Sequence, residues 1–163
     1  MVRSDCDGSR RGVRILSTLP FFAAALVTIP LLVACEPERL PPSDPDLRAE
    51  LAIPDDTPIH RVDLGGASSE TSVIPRFLEV HPGDLVQFVV LDNRVHLVRF
   101  PEKGLGPTNL AFLRETSQDR PPPLVERGAR LVLSFGGAPL GVYTFIVEGY
   151  GAPMRGEIRV VVP

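Results

Sequence analysis

The chain has 163 residues and a formal net charge of −3, so it lacks the basic excess that marks most nucleic-acid-binding proteins. Its length is sufficient for one small domain beside terminal segments. Both cysteines, Cys6 and Cys35, lie near the N-terminus. This position excludes a disulfide framework for the domain.

The N-terminal segment has the pattern of an export signal. Residues 15–34 form an uncharged apolar run that follows four arginines, Arg3, Arg10, Arg11 and Arg14. A basic start, an apolar stretch and small residues before a cleavage point are typical of such signals. The sequence Leu32-Val33-Ala34-Cys35 resembles the bacterial lipobox. This resemblance implies that residues 1–34 are a signal peptide and that Cys35 is the lipidated first residue of the mature chain.

Two questions about the N-terminal segment have alternative answers: whether it is cleaved, and which export route it uses. The apolar run approaches the length of a membrane-spanning helix, but Pro20 and Pro30 favour a cleaved signal over an uncleaved anchor. Ser9-Arg10-Arg11 leaves open either general or twin-arginine export. Either route predicts a membrane-anchored lipoprotein of the bacterial cell envelope that faces the periplasm or the cell exterior.

Residues 35–58 are interpreted as the lipidated cysteine followed by a proline-rich tether. The six prolines are Pro37, Pro41, Pro42, Pro45, Pro54 and Pro58, and proline-rich segments are extended and stiff. Removal of residues 1–34 takes away four arginines and two aspartates, so the mature chain is more acidic than the whole. We therefore expect it to contact the membrane through its lipid and not through charge.

Residues 59–163 are predicted to form one all-β domain, because short runs of Val, Phe, Leu and Ile alternate with Gly/Pro turns. Val86, Phe88 and Val90 would share the buried face of one strand. The predicted strands are residues 59–64, 73–80, 84–91, 95–100, 129–135, 141–147 and 157–162.

Residues 101–128 interrupt the strand pattern. We predict a short helix over residues 108–116, with Leu110 and Leu113 on its inner face. A long connection between strands is uncommon unless it covers or binds something.

Three stretches resemble the blue copper proteins, the cupredoxins. They are the strand–turn–strand unit around His81-Pro82-Gly83-Asp84, the segment Asp92-Asn93-Arg94-Val95-His96, and the C-terminal loop that ends in Met154-Arg155-Gly156. The resemblance implies a Greek-key β-sandwich of about seven strands with a loop and short-helix insertion. It also implies that the Met-Arg-Gly turn opens the last strand.

The resemblance places the family's four copper ligands at His96, Val147, Tyr150 and Met154. A type 1 centre uses two histidines, one cysteine and a weak axial methionine. Valine has no donor atom, and a phenol keeps its proton near neutral pH. We therefore expect no cofactor, with loose Cu(I) binding by His96 and Met154 as the alternative. Without copper, His96 would be a strand histidine with a backbone partner, and Met154 a core side chain.

No catalytic motif is recognisable: the chain has no phosphate-binding glycine loop, no HExxH sequence and no supported Ser-His-Asp grouping. His60 and His81 are predicted to be solvated. Arg94, Arg99 and Arg155 would lie near Tyr150. They would form either a contact surface, since arginine and tyrosine are enriched at binding hot spots, or ordinary surface charge. The sequence thus predicts a non-enzymatic binding or accessory module with an unidentified envelope protein as partner. The alternative is a copper-binding cupredoxin in periplasmic electron transfer or Cu(I) handling.

Overall fold

The computed structural model describes residues 45–67 and 69–163. The predicted signal peptide, Cys35 and the first part of the predicted tether lie outside these residues. Within the described residues, no helix has the length and apolar character needed to cross a bilayer.

In the described residues, eight strands form two four-stranded sheets, which confirms the predicted all-β sandwich. The strands are β1 Ile59–Gly65, β2 Ser72–Ile74, β3 Phe77–Val80, β4 Leu85–Val90, β5 Leu97–Arg99, β6 Arg130–Ser134, β7 Gly141–Glu148 and β8 Met154–Val160. The first sheet has the order β2-β1-β4-β6 and the second the order β3-β8-β7-β5. Pairing is parallel between β1 and β4 and between β3 and β8, and antiparallel between the other neighbours.

The core lies between the two sheets. Val86, Phe88 and Val90 are fully buried on one face of β4, as their alternation predicts. The ring of Phe88 meets Phe145 of β7 edge-to-face, with centroids 5.2 Å apart. This contact joins the central strands of the two layers.

Two predicted strand boundaries are wrong. Residues 73–80 form two strands in different sheets, because the chain bends at Pro75, which has no N–H for a ladder hydrogen bond. The last strand begins at Met154 and not at Glu157, because Met154 already pairs with Val147 of β7. The predicted Met-Arg-Gly turn is therefore part of a strand.

The predicted helix in the insertion is present as α2, Pro107–Glu115. Its buried residues are Asn109, Phe112 and Leu113. These positions are three and four residues apart and so lie on one helix face. Leu110 is only half-buried, because it lies to the side of this face, and its predicted inner position is wrong.

The segment before β1 is folded against the domain. A short helix, α1, spans Pro45–Glu50. Leu47 is 3% exposed, Glu50 forms a 3.1 Å ion pair with Arg130 of β6, and the Arg48 guanidinium donates to the carbonyls of Pro54 and Thr57. Part of the segment interpreted as a tether is thus held in place.

Candidate functional site

The β4–β5 and β7–β8 loops meet at one end of the sandwich. β5 and β7 are antiparallel, with Val98 opposite Val147 and Leu97 opposite Glu148. Continuing this register by one residue places His96 beside Gly149. The structure therefore brings His96 next to the C-terminal loop, as the sequence predicts.

The His96 imidazole is 1% exposed and is held by a carboxylate. Its Nε2 lies 2.8 Å from Oδ1 of Asp92, and Asp92 also accepts a 3.1 Å hydrogen bond from the Arg94 backbone N–H. The expected backbone partner for the ring is replaced by Asp92. Sequence reasoning passed over this aspartate, although it lies only four residues before the histidine.

Asp92 fixes the orientation of the ring. Burial of Asp92 opposes its ionisation, but the hydrogen bonds from His96 and the Arg94 backbone, together with the charges of both residues, lower the pKa of Asp92 below its ordinary value. An ionised carboxylate accepts only, so Nε2 carries a proton. In the neutral imidazole, Nδ1 then holds the lone pair.

Nδ1 of His96 faces a closed and polar space. A Cβ atom on Gly149 would lie 3.2 Å from Nδ1 and 3.4 Å from Thr71 Oγ1. Thr71 is 5% exposed. Within the described residues, neither Nδ1, nor Thr71 Oγ1, nor Oδ2 of Asp92 has a hydrogen-bond partner. Two of these unsatisfied atoms, Nδ1 of His96 and Oγ1 of Thr71, therefore lie beside Gly149, whereas Oδ2 of Asp92 lies near Gly65.

Val147 and Met154 occupy facing positions on β7 and β8. Val147 is fully buried in the core. Met154 is half-buried and packs against the same core, and its sulfur lies 3.6 Å from Nη1 of Arg76, which donates to it. The Met154 thioether thus accepts a hydrogen bond from the Arg76 guanidinium.

Tyr150 points away from this interior. It is 72% exposed, and the guanidinium carbon of Arg94 lies 5.5 Å from the centre of its ring. The other two arginines of the predicted surface are engaged elsewhere. Arg99 pairs with Glu148 at 2.8 Å, and Arg155 lies 3.7 Å from Glu157. Arg94 alone of the three stacks on Tyr150.

These side chains do not fit a type 1 copper centre, which requires a thiolate and two imidazoles. Val147 offers no donor, Tyr150 stacks on Arg94, and the Met154 sulfur accepts from Arg76. Across residues 45–67 and 69–163, no group of three or more His, Cys, Asp or Glu side chains is arranged to hold a metal ion.

The two other histidines lie at the opposite end of the sandwich. Nε2 of His60 is 2.7 Å from Oδ2 of Asp84, which also accepts from the His81 backbone N–H at 2.8 Å. Asp84 is 4% exposed. It fixes the turn before β4 and joins that turn to β1, so His60 is a hydrogen-bonded residue and not simply a solvated one.

Neither a protein-family model nor a curated protein matches the chain. Among solved structures, it is similar to plastocyanin from Dryopteris crassirhizoma, with 21% identity, 62% of this chain and 99% of that chain covered, and a TM-score of 0.47. It is also similar to amicyanin from Paracoccus versutus (17% identity, 68% and 87% covered, TM-score 0.43). A third similar structure is a purple cupredoxin from Nitrosopumilus maritimus (16% identity, 62% and 98% covered, TM-score 0.42). The all-β sandwich itself is established by the strands of this chain.

Proposed function

We propose that this protein is a non-enzymatic binding module of the bacterial cell envelope, anchored by lipid at Cys35 and without a type 1 copper centre. The observation that carries the proposal is the stacking of Arg94 on an outward-facing Tyr150. Tyr150 stands at a position where the resemblance implies a copper ligand. Its side chain is instead directed to solvent, where it can contact a partner.

The surface around this pair has the character of a protein contact site. Leu124 and His96 form an isolated antiparallel bridge, and Val95 and Val125 are the chain neighbours of these two paired residues. Val95 is 55% exposed and Val125 is 63% exposed. We call Arg94, Val95, Val125 and Tyr150 the end surface.

The end surface is held in place before any partner arrives. Asp92 fixes the β4–β5 loop through the Arg94 N–H and the His96 ring, and His96 and Leu124 exchange two backbone hydrogen bonds of 2.8 Å. Preorganised side chains lose less conformational entropy when they bind. Tyrosine and arginine are also the residue types that most often dominate contact energies.

A second function, weak Cu(I) handling, has one observation in its favour. A metal-binding histidine commonly donates its other ring N–H to a carboxylate, and His96 donates Nε2–H to Asp92 while Nδ1 remains without a partner in the described residues. Against it, the Met154 sulfur is bonded to Arg76. Copper titration separates the two functions.

Crosslinking in envelope fractions tests the binding function. The full chain, purified in detergent, is added to these fractions and its crosslinked products are compared with those of Tyr150→Ala. Phe77→Ala is the matched control, because Phe77 is an aromatic residue of similar exposure, 70%, on β3. We expect Tyr150→Ala to abolish a discrete product that Phe77→Ala retains. Equal products from both variants would contradict the proposal.

A further inference from the structure

We propose that the Gln118 side chain closes the edge of β6 against pairing with a second copy of the chain, as an autoinhibitory contact built into the insertion. Residues 101–128 connect β5 to β6 over an unusual length, and such a connection generally covers or binds something. Here the covered feature is a strand edge, and the covering group is one side-chain amide. The inference concerns β6 and does not depend on the end surface.

In the described residues, β6 is an edge strand of the first sheet and pairs only with β4. The N–H of Phe135, directly after β6, donates to the carbonyl of Asp84, directly before β4. Backbone groups alternate direction along a strand, so those of Val132 and Ser134 point away from β4. Val132 is half-buried and Ser134 is exposed. This side of the strand therefore reaches the surface of the domain.

Gln118 takes the place of a neighbouring strand at Ser134. Its Oε1 accepts a 2.6 Å hydrogen bond from the Ser134 N–H, and its Nε2 donates to the Ser134 carbonyl at 3.1 Å. A glutamine amide carries an N–H donor and a carbonyl acceptor, as a peptide group does. Gln118 thus makes the two bonds that a residue of a paired antiparallel strand would exchange with Ser134.

The end of α2 fixes the position of Gln118. Ser117 has a φ of +57°, and the Gln118 N–H donates to the Leu113 carbonyl at 2.7 Å, an arrangement that commonly ends a helix. Leu113 is fully buried, so core packing holds this helix end. Nε2 of Gln118 also donates to Thr116 Oγ1 at 2.7 Å. The amide is therefore held against β6 by the fold of the insertion.

The side chains of β6 would not themselves prevent pairing. Exposed strand edges pair with other chains unless a charge, a proline or a covering segment blocks them. In a two-fold antiparallel pair centred on Val132, this residue faces its own copy, and Arg130 faces Ser134 of the second copy. Two valines then meet, and no like charges lie directly opposite each other. The group that blocks this pairing is Gln118.

Gln118→Ala in the full chain tests the inference through hydrogen exchange and association state. At low protein concentration, with enough detergent for one chain per micelle, the Ser134 amide should exchange about three- to tenfold faster than in the wild-type protein, because one hydrogen bond is lost. At high concentration, we expect sedimentation to show dimers and NMR to show renewed protection of the Val132 and Ser134 amides. The wild-type protein should be monomeric under both conditions.

Three further variants locate the association. Val132→Lys, added to Gln118→Ala, sets two lysines opposite each other and should restore the monomer. Gln118→Glu keeps an acceptor for the Ser134 N–H and should also remain monomeric. Asp119→Ala is the matched control, because Asp119 follows Gln118 but its carboxylate lies 3.6 Å from Arg120. This variant should behave as the wild-type protein does.

Three outcomes would overturn the inference. They are unchanged exchange of the Ser134 amide in Gln118→Ala, a Gln118→Ala protein that stays monomeric at high concentration, and dimers that persist after Val132→Lys is added. Circular dichroism checks that each variant is folded. If Gln118→Ala does not fold, Gln118→Ser repeats the test, because its hydroxyl is too short to bridge both backbone groups of Ser134.

Discussion

Asp92 and His96 form an acid–imidazole pair in which the histidine is buried and the aspartate half-buried, with 2.8 Å between Oδ1 and Nε2. The pair closes the loop between β4 and β5 and directs Nδ1 of the ring towards Gly149 and Thr71. The pair holds Arg94 in position on the end surface, because Asp92 accepts from the Arg94 backbone N–H. It also sets the surroundings of His96, the first of the four predicted copper-ligand positions.

Replacement of Asp92 by alanine should lower the free energy of unfolding by about 1.5–3 kcal/mol, the usual contribution of a hydrogen bond to a charged group. The pKa of Asp92 is lower in the folded protein than in the unfolded chain, where it is near 3.8. The ionised carboxylate therefore contributes its full stabilisation at pH values above the unfolded pKa. This contribution is lost as the pH falls through the lower folded pKa. Urea unfolding from pH 7 to pH 2 should show the two proteins converging at acid pH. A constant difference over this range would contradict the assignment, and Asp55→Ala, at an exposed aspartate, is the control.

Thr71→Val removes a buried hydroxyl that has no partner in the described residues. Replacing an unsatisfied polar group by an apolar one of the same shape is nearly neutral or stabilising, so we expect a change within about 0.5 kcal/mol or a gain. Thr116→Val is the comparison, because Thr116 Oγ1 donates to the Phe112 carbonyl at 2.8 Å and its loss should cost about 1 kcal/mol. A larger loss for Thr71→Val in urea unfolding would show that the hydroxyl has a bound partner.

Tyr143→Phe should lower stability by about 1 kcal/mol at neutral pH, because the Tyr143 hydroxyl donates to the Pro139 carbonyl at 2.9 Å. Burial raises the pKa of Tyr143 from 10.0 to about 12. The phenol ionises first in the unfolded chain, so its contribution is complete below pH 10 and falls as the pH rises towards 12. Denaturant unfolding between pH 8 and pH 12 should show the wild-type protein losing stability faster than Tyr143→Phe. Parallel curves would indicate that the hydroxyl is not buried in solution.

The double variant Val147→Cys, Tyr150→His restores the two ligand types that the resemblance implies for these positions. A thiolate and a second imidazole beside His96 and Met154 would complete a type 1 ligand set. We expect an intense blue absorption when Cu(II) is added to the folded variant, and circular dichroism checks its fold. A folded variant that stays colourless would contradict the assignment of the loop positions.

The sequence predicted the elements that depend on local pattern. Alternation identified the buried face of β4, and the Pro82-Gly83 turn was expected before it; Gly83 there has a φ of +110°, which glycine adopts readily. The division of residues 73–80 between two sheets was not predictable from alternation, because both halves keep the strand pattern and only the tertiary path separates them.

Contacts between residues that are distant in the sequence could not be predicted either. The approach of His60 to Asp84 and the burial of Leu47 depend on how the strands and the N-terminal segment pack, which no local pattern records. The outward direction of Tyr150 likewise follows from the path of a loop rich in glycine and from its contact with Arg94. The proximity of Arg94 to Tyr150 on the end surface agrees with the sequence prediction, whereas the outward direction of Tyr150 depends on the tertiary structure.

Copper titration of the full chain tests the central claim most directly. The purified protein is mixed with Cu(I) and, separately, with Cu(II), while visible absorption and protein-bound metal are measured, and His96→Ala is titrated in parallel. We predict no blue absorption and no stoichiometric copper that withstands a competing chelator, with the same result for His96→Ala. Tight binding of one copper per chain that His96→Ala abolishes would contradict the account.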